Sequence, residues 1–187
     1  MRLIYILLVL FIYSCANHSL IRDVEQFLEQ QIEIPLNMNT VWKGKDTVLA
    51  SFLDAPIKMV VWYDSLSCLS CEVGTMNAWN SIVAEADSFA QWFHIIYLFT
   101  PQKKDLRQLK TFLQVDKFDY PVFIDRNATF VQQNSKLPQN RLLHSFLLDK
   151  NNKVVMAGNT LRNPTMWALY KKTIQKIIDN DGVMPEK

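Results

Sequence analysis

Two stretches of the chain are continuously apolar and rich in β-branched and aromatic residues, and each is as long as one strand. They cover residues 58–63 and 93–99. Apolar runs without alternation are typical of strands that are buried on both faces of a sheet. Three shorter runs, at residues 121–125, 145–149 and 154–157, predict further strands. The last two form a hairpin, since the asparagines between them tolerate the positive φ of a tight turn.

Between these strands, apolar residues recur at the spacing of amphipathic helices. The segments with this pattern are 21–32, 73–86, 106–113 and 166–177. The first helix is expected to end before Pro35, because the residue before a proline avoids the helical conformation. The last helix is expected to begin at Asn163-Pro164, with Asn163 as the cap and Pro164 in the first helical position.

The order of these elements from residue 58 onward is strand, helix, strand, helix, short strand, hairpin and helix. Parallel strands joined by helices, followed by an antiparallel hairpin and a covering helix, give a mixed central sheet with helices on both faces. The sequence therefore predicts an α/β fold. The proline that opens segment 121–125 suggests an edge strand or a strand start. Residues 36–50 are predicted to be irregular or briefly extended, with Val41, Trp42 and Val48 as apolar anchors.

The N-terminus carries a separate signal. Met1-Arg2 is followed by an unbroken apolar run over residues 3–13 and then by Ser14-Cys15. A bilayer-spanning helix needs about 20 apolar residues, so the run has the length of a secretion signal instead. A small residue directly before a cysteine resembles a bacterial lipoprotein cleavage box, with Cys15 as the lipidated N-terminus. The alternative is an ordinary signal peptide with an incidental Cys15, and both alternatives imply export.

Composition narrows the functional classes. Twenty basic and 18 acidic residues leave a net charge of +2, so the chain has no bulk charge for binding nucleic acid. With only four glycines and no paired carboxylates, it offers little support for a hydrolase or a nucleotide-binding protein. Of the three cysteines, lipidation of Cys15 would leave Cys68 and Cys71, which excludes a four-cysteine zinc site.

The candidate chemistry lies at Cys68-Leu69-Ser70-Cys71, between a predicted buried strand and a predicted helix. A cysteine at the first turn of a helix faces unpaired N–H groups and the positive end of the helix dipole, which lowers its pKa. Because only the thiolate attacks a disulfide, Cys68 is the predicted nucleophile. Cys71, one turn further and expected to be more buried, would resolve the mixed disulfide. The alternative is a static disulfide or an unreactive thiol pair.

With the run 60–64 leading into Cys68 and Cys71, and with the hairpin 145–153, residues 36–180 resemble the thioredoxin superfamily. The resemblance is greatest to the exported, membrane-tethered disulfide reductases of bacteria, lipoproteins of the Bacteroides type. It implies a signal peptide over 1–14, a lipidated tether and helix over 15–35, and a thioredoxin-like domain over 36–187. It further implies a periplasm-facing envelope enzyme that acts on thiols or disulfides of exported proteins, with an upstream reductase or oxidant as a second partner and no cofactor.

The chain departs from the family pattern at several positions. Active members commonly carry an aromatic residue before the first cysteine and a proline between the two, where this chain has Ser67 and Leu69-Ser70. The usual buried acid is replaced by Trp62, so Asp64 becomes the candidate acid or base. The position of the family's cis-proline, which faces the substrate, falls on His144.

Two other functions stay open from the sequence. Two thiolates and one imidazole, from Cys68, Cys71 and His144, suit Cu(I) or Zn(II), so a copper- or zinc-delivery protein of the same fold is an alternative. A redox-inactive envelope scaffold is the other alternative, and the missing cis-proline favours it. The primary prediction assigns catalysis to Cys68 and Cys71 and assigns no metal.

Overall fold

The computed structural model describes residues 19–66, 69–115, 118–161 and 163–185. Cys15, Ser67 and Cys68 lie outside these ranges. The described residues form one sheet whose strands, in chain order, are β1 (Asn39–Trp42), β2 (Lys45–Thr47), β3 (Ile57–Tyr63), β4 (Phe93–Phe99), β5 (Val122–Ile124), β6 (Ser145–Leu148) and β7 (Val154–Ala157). Their order across the sheet is β2-β1-β5-β4-β3-β6-β7.

The sheet is mixed, as the order of elements predicts. Strands β3 and β4 are parallel, as are β4 and β5, whereas β6 runs antiparallel to β3 and to β7. The register places Val61 between Tyr97 on one side and Ser145 on the other. The two central strands have neighbours on both edges and helices on both faces, which explains why their sequences do not alternate.

The helices are α1 (19–27), α2 (Leu69–Thr75), α3 (Asn80–Ala86), α4 (Leu106–Val115), α5 (Thr129–Gln133) and α6 (Pro164–Ile178). Helices α2, α3, α4 and α6 contribute to the buried cluster on one face of the sheet. Helices α1 and α5 contribute Phe27 and Phe130 to the cluster on the other face. The predicted α/β fold with helices on both faces is therefore confirmed. Within the described ranges, no helix is both long enough and apolar enough to cross a bilayer.

The first helix is shorter than its apolar spacing predicts. It ends at residue 27, and Glu29 follows with a φ of +69°, a left-handed conformation that terminates a helix. Ile32, which the pattern assigns to the helix, instead lies in an extended segment. Its N–H donates to the carbonyl of Asn152 at 2.9 Å, and the preceding Gln31 forms an antiparallel bridge with Lys153.

The predicted helix over 73–86 is interrupted. Helices α2 and α3 are separated by a 3-10 turn over Met76–Trp79. Side chains three residues apart eclipse each other in a 3-10 turn, so Met76 and Trp79 still point to the same side. Both are buried, and the apolar stripe faces the core as predicted although the helix is not continuous.

The region before β3 also differs from its prediction. Strands β1 and β2 form a hairpin, and β1 pairs with β5. Because β5 lies between β1 and β4, segment 121–125 is not an edge strand, and Pro121 marks its start instead. Val41 is buried as expected, but Trp42 is 38% exposed and Val48 is 88% exposed. Val48 is therefore not an anchor, since it lies past the end of the hairpin.

Candidate functional site

The candidate site lies where β3 ends and the chain enters α2. Cys71 lies in α2 and is half of a disulfide. It is exposed, contrary to the expectation of a more buried position. Its predicted partner Cys68 lies outside the described residues. Cys71 lines a cavity of about 490 Å³ together with residues of β3, of the 3-10 turn after α2 and of the loops around β6 and β7: Val61, Trp62, Tyr63, Glu72, Thr75, Ala78, Trp79, Arg141, Leu142, His144, Ser145, Asn159 and Leu161.

His144 is the predicted site residue that the structure brings into the same cavity as Cys71. It directly precedes β6, and its carbonyl accepts a hydrogen bond from the Trp62 N–H at 2.8 Å. The pairing of β3 with β6 therefore extends one residue beyond the strand. The residue is 6% exposed, and its ring packs against the Trp62 indole with 4.2 Å between centroids.

The contacts of the imidazole define its tautomer. Nε2 lies 2.9 Å from the carbonyl oxygen of Pro138, and since a carbonyl only accepts, Nε2 carries the hydrogen. Nδ1 lies 4.0 Å from Oδ2 of Asp64. Burial is the largest influence on the pKa of His144 and lowers it. The hydrogen bond to the Pro138 carbonyl and the charge of Asp64 raise this pKa, and the charge of Arg141 lowers it, so that the net shift is downward. The ring is therefore neutral at pH 7, with the unprotonated Nδ1 at 4.0 Å from the Asp64 carboxylate.

Asp64 follows β3 directly, and its side chain is only 15% exposed. Oδ1 accepts a hydrogen bond from the N–H of Leu66 at 2.9 Å, which closes a turn in the loop toward Cys68. Arg141 Nη2 lies 3.4 Å from the same oxygen. The carboxylate thus links this loop to the segment before β6. Arg141 was missed from the sequence, where a lone arginine carries no signal.

The segment before β6 has no cis-proline. No peptide bond is cis in the part of the chain that the structure describes. Pro138 lies six residues upstream of His144 and takes no place in the strand pairing, but its carbonyl fixes the His144 ring. Sequence reasoning could not find this contact, because six residues of irregular loop have no periodicity.

Tyr63 forms part of the cavity wall beside Cys71. Its hydroxyl accepts a hydrogen bond from the Trp79 indole N–H at 3.1 Å. Burial raises the pKa of Tyr63, opposed by the Trp79 hydrogen bond, and Glu72 raises it further. The hydroxyl therefore remains protonated over the physiological pH range and does not act as a base.

A metal centre is not evident in the described ranges, where no group of three or more His, Cys, Asp or Glu side chains could hold an ion. The proposed ligand set of the metal-delivery alternative includes Cys68, which lies outside those ranges. His144 uses Nε2 to hold Pro138, so only Nδ1 remains for any further partner.

Comparisons with known proteins show likeness in structure alone. No family model matches the sequence, and no curated protein matches it. A candidate thiol-disulfide oxidoreductase from Bacteroides vulgatus is 13% identical, with a TM-score of 0.50 over 76% of this chain and 90% of that one. A hypothetical protein from Sinorhizobium meliloti 1021 is 11% identical, with a TM-score of 0.52 over 84% and 89%.

An uncharacterized thioredoxin-like protein from Porphyromonas gingivalis is 16% identical, with a TM-score of 0.48 over 80% of this chain and 94% of that one. At these identities the likeness shows the fold and not the activity. The likeness to the first two structures, with TM-scores of 0.50 and 0.52, together with the mixed seven-stranded sheet of the described residues, shows that this chain has a thioredoxin-like fold.

Proposed function

We propose that the chain is a thiol–disulfide oxidoreductase of the bacterial cell envelope, acting through Cys68 and Cys71 on exported proteins. The observation that carries the proposal is the position of Cys71. It is disulfide-bonded, lies in the helix that follows the central strand β3, and faces a cavity that a client chain could enter. We assign Cys68 as its disulfide partner.

The proposed cycle consists of two exchanges. The Cys68 thiolate attacks a client disulfide, which forms a mixed disulfide and releases one client sulfur as a thiolate. The Cys71 sulfur then attacks Cys68, which breaks the mixed disulfide and releases the second client sulfur. The client gains two electrons, and the pair is left as a disulfide. A dithiol reductase then supplies two further electrons, which reduce the disulfide back to the Cys68 and Cys71 thiols and leave the reductase oxidised. An oxidant in place of the reductase would run the cycle in reverse.

The cavity walls support a client peptide as the substrate. The imidazole of His144 and the indole of Trp62 are in contact at the cavity wall, while Leu142 is 45% exposed at its rim. An exposed apolar side chain beside the exposed Cys71 suits an unfolded or extended client segment, which presents apolar side chains next to its cysteines.

Export and lipidation belong to the same proposal. Residues 1–14 would be removed as a signal peptide, and Cys15 would carry the lipid that holds the domain at the membrane, facing the periplasm. Metabolic labelling with a palmitate analogue tests this point. The full chain should take up the label, whereas Cys15→Ser should not.

The deciding experiment is redox titration of the full chain with glutathione or dithiothreitol, followed by thiol trapping. We expect a reduction potential between about −270 and −120 mV, the span of known thiol–disulfide catalysts. Cys68→Ser should abolish dithiol-dependent reduction of a model disulfide, and Cys15→Ser is the matched control that should retain it. A pair that stays oxidised below about −300 mV would behave as a structural disulfide, and the scaffold alternative would replace the proposal.

A further inference from the structure

The second exchange of the proposed cycle releases a proton that needs an acceptor. Cys71 attacks as a thiolate, so a thiol at this position must lose its hydrogen as the bond to Cys68 forms. Among the side chains of the cavity wall, Tyr63 stays protonated and Trp62 has only an N–H, which donates to the Thr100 hydroxyl at 3.1 Å. Neither can take the proton.

We propose that His144 accepts the proton that Cys71 loses when it attacks the mixed disulfide, and that Asp64 is the positioning residue for His144. The inference rests on the proposed function and names the group that completes its second exchange. His144 and Cys71 line the same cavity, so a proton can pass between them through water within it.

The geometry supports His144 as a proton acceptor. Its Nε2 hydrogen is committed to Pro138, so in the neutral ring Nδ1 can only accept. Nδ1 faces Oδ2 of Asp64 at 4.0 Å, which places two acceptors opposite each other with no hydrogen between them. One added proton on Nδ1 converts this unfavourable pair into an attraction between the imidazolium and the Asp64 carboxylate.

The surrounding charges set the pH at which the ring takes a proton. Asp64, after β3, favours the protonated ring, and Arg141, before β6, opposes it. The groups of α2 that share the cavity are Cys71 itself and Glu72, and β3 contributes the neutral Tyr63. Glu72 is the competing acceptor, since it directly follows Cys71 in α2.

The proposed step is balanced. The Cys71 S–H proton moves to Nδ1 of His144, the Cys71 sulfur bonds to the Cys68 sulfur, and the bond between Cys68 and the client sulfur breaks. The pair is oxidised by two electrons and the client sulfur is reduced to a thiolate. The imidazolium, held by Asp64, then returns its proton to that thiolate or to solvent.

A chromogenic disulfide separates the two exchanges. The reduced full chain, in a Cys15→Ser background, is mixed with 5,5′-dithiobis(2-nitrobenzoate). Cys68 releases the first thionitrobenzoate and Cys71 releases the second. We measure the rate of the second release as a function of pH. With His144 as the acceptor, we expect this rate to stay constant as the pH is lowered until the pH falls below 6.5, the ordinary pKa of histidine. His144→Gln should raise the midpoint of this pH dependence toward about 8.5, the ordinary pKa of a thiol.

Two charge variants give shifts of opposite sign, which a merely structural role would not produce. Asp64→Asn keeps an oxygen for the Leu66 N–H but removes the charge, so the midpoint should fall by about one pH unit. Arg141→Gln removes the opposing cation, so the midpoint should rise. His94→Gln is the matched control, because His94 is a partly buried histidine that contacts Phe52 instead of the cavity. Its profile should not change.

The outcomes separate the two proposals. Absence of the first release contradicts the proposed function, whereas a normal first release with an unchanged second profile in His144→Gln overturns the inference. If Glu72→Gln raised the midpoint of the pH dependence and His144→Gln left it unchanged, the inference would likewise be overturned, and Glu72 would be the proton acceptor. ¹⁵N NMR of the imidazole needs no activity. We expect the hydrogen on Nε2 and a neutral ring at pH 7, and a hydrogen on Nδ1 at that pH would refute the proposal.

Discussion

The hydroxyl groups of two fully buried tyrosines differ in their hydrogen bonds. Tyr170 donates toward the carbonyls of Ser145 and Gly158, each at 3.1 Å. Tyr97, at the centre of β4, is also fully buried, but its hydroxyl has no hydrogen-bond partner among the described residues. Burying a hydroxyl without a partner costs about 1–3 kcal/mol, so the Tyr97 hydroxyl is an energetic cost to the fold.

Replacing these tyrosines should therefore have unequal effects. Tyr97→Phe removes an unsatisfied hydroxyl and should leave the free energy of unfolding unchanged or raise it by up to about 1 kcal/mol. Tyr170→Phe is the matched comparison, and it should lower the free energy by about 1–3 kcal/mol because the buried Gly158 carbonyl loses the hydroxyl as a donor, while the Ser145 carbonyl keeps the Gly158 N–H. Urea denaturation of both variants measures the difference. Equal destabilisation would mean that Tyr97 has a partner.

At the residue scale, local chemistry was predictable from the sequence and long-range contacts were not. Asn163 caps α6 as predicted, with its Oδ1 accepting from the Thr165 N–H at 3.1 Å. The contact of Asp64 with His144 joins residues 80 positions apart, and it depends on how two irregular loops pack. No spacing rule connects such positions, so the sequence named both residues without pairing them.

At the scale of elements, the longest runs were predictable and the shortest were not. Strand β4 has the bounds that its sequence predicts. Strand β2 has only three residues and helix α5 only five, too few for any periodicity. Helix α5 also follows Ala128, whose φ of +54° is unusual for alanine. Alanine is not a residue type that typically caps a helix, so the sequence did not predict where α5 begins.

Helix α5 holds the N-terminal segment through one side chain. Asn134, just past its end, is 6% exposed. Its Oδ1 accepts from the Glu33 N–H at 2.9 Å, and its Nδ2 donates to the carbonyls of Glu33 at 2.8 Å and Phe130 at 2.7 Å. This amide pairs with the backbone of residue 33 as a neighbouring strand would.

Removing this amide should loosen the segment. We expect Asn134→Ala to lower the free energy of unfolding by about 2–3 kcal/mol, because three hydrogen bonds of about 1 kcal/mol each are lost. It should also make residues 29–34 sensitive to proteolysis. Asn127→Ala, on the exposed loop before α5, is the control and should have little effect on either measurement. Resistance of the Asn134 variant to proteolysis would contradict a clamping role.

For the whole molecule, the pH dependence of stability should be dominated by tyrosines at alkaline pH. Burial raises the pKa of Tyr63, Tyr97 and Tyr170, and raises that of Tyr120 to about 12. Above pH 10 the unfolded chain loses these protons while the folded chain keeps them, so stability falls as pH rises. Burial lowers the pKa of Lys58, so this lysine makes the fold more stable as the pH rises toward 10.5. The four tyrosines have the opposite effect on stability and outnumber it.

We therefore expect the free energy of unfolding to fall between pH 10 and 12, with the fall becoming shallower in Tyr97→Phe. Each tyrosine contributes up to about 1.4 kcal/mol per pH unit in this range. Urea denaturation at a series of pH values measures the slope. A stability that stays constant to pH 12 would show that the hydroxyls ionise in the folded state as freely as in the unfolded chain.

The path of the chain after α1 has a consequence for self-association. Residues 29–32 lie along the outer edge of β7, where the Glu29 N–H donates to the Val154 carbonyl at 2.9 Å and the Val154 N–H donates to the Gln30 carbonyl at 2.8 Å. A chain shortened to begin at residue 36 would expose these groups and also lose Phe27 and Ile32 from the core. Unpaired edges invite pairing with a second copy. On size-exclusion chromatography, such a chain should elute as larger species than a chain that begins at residue 19.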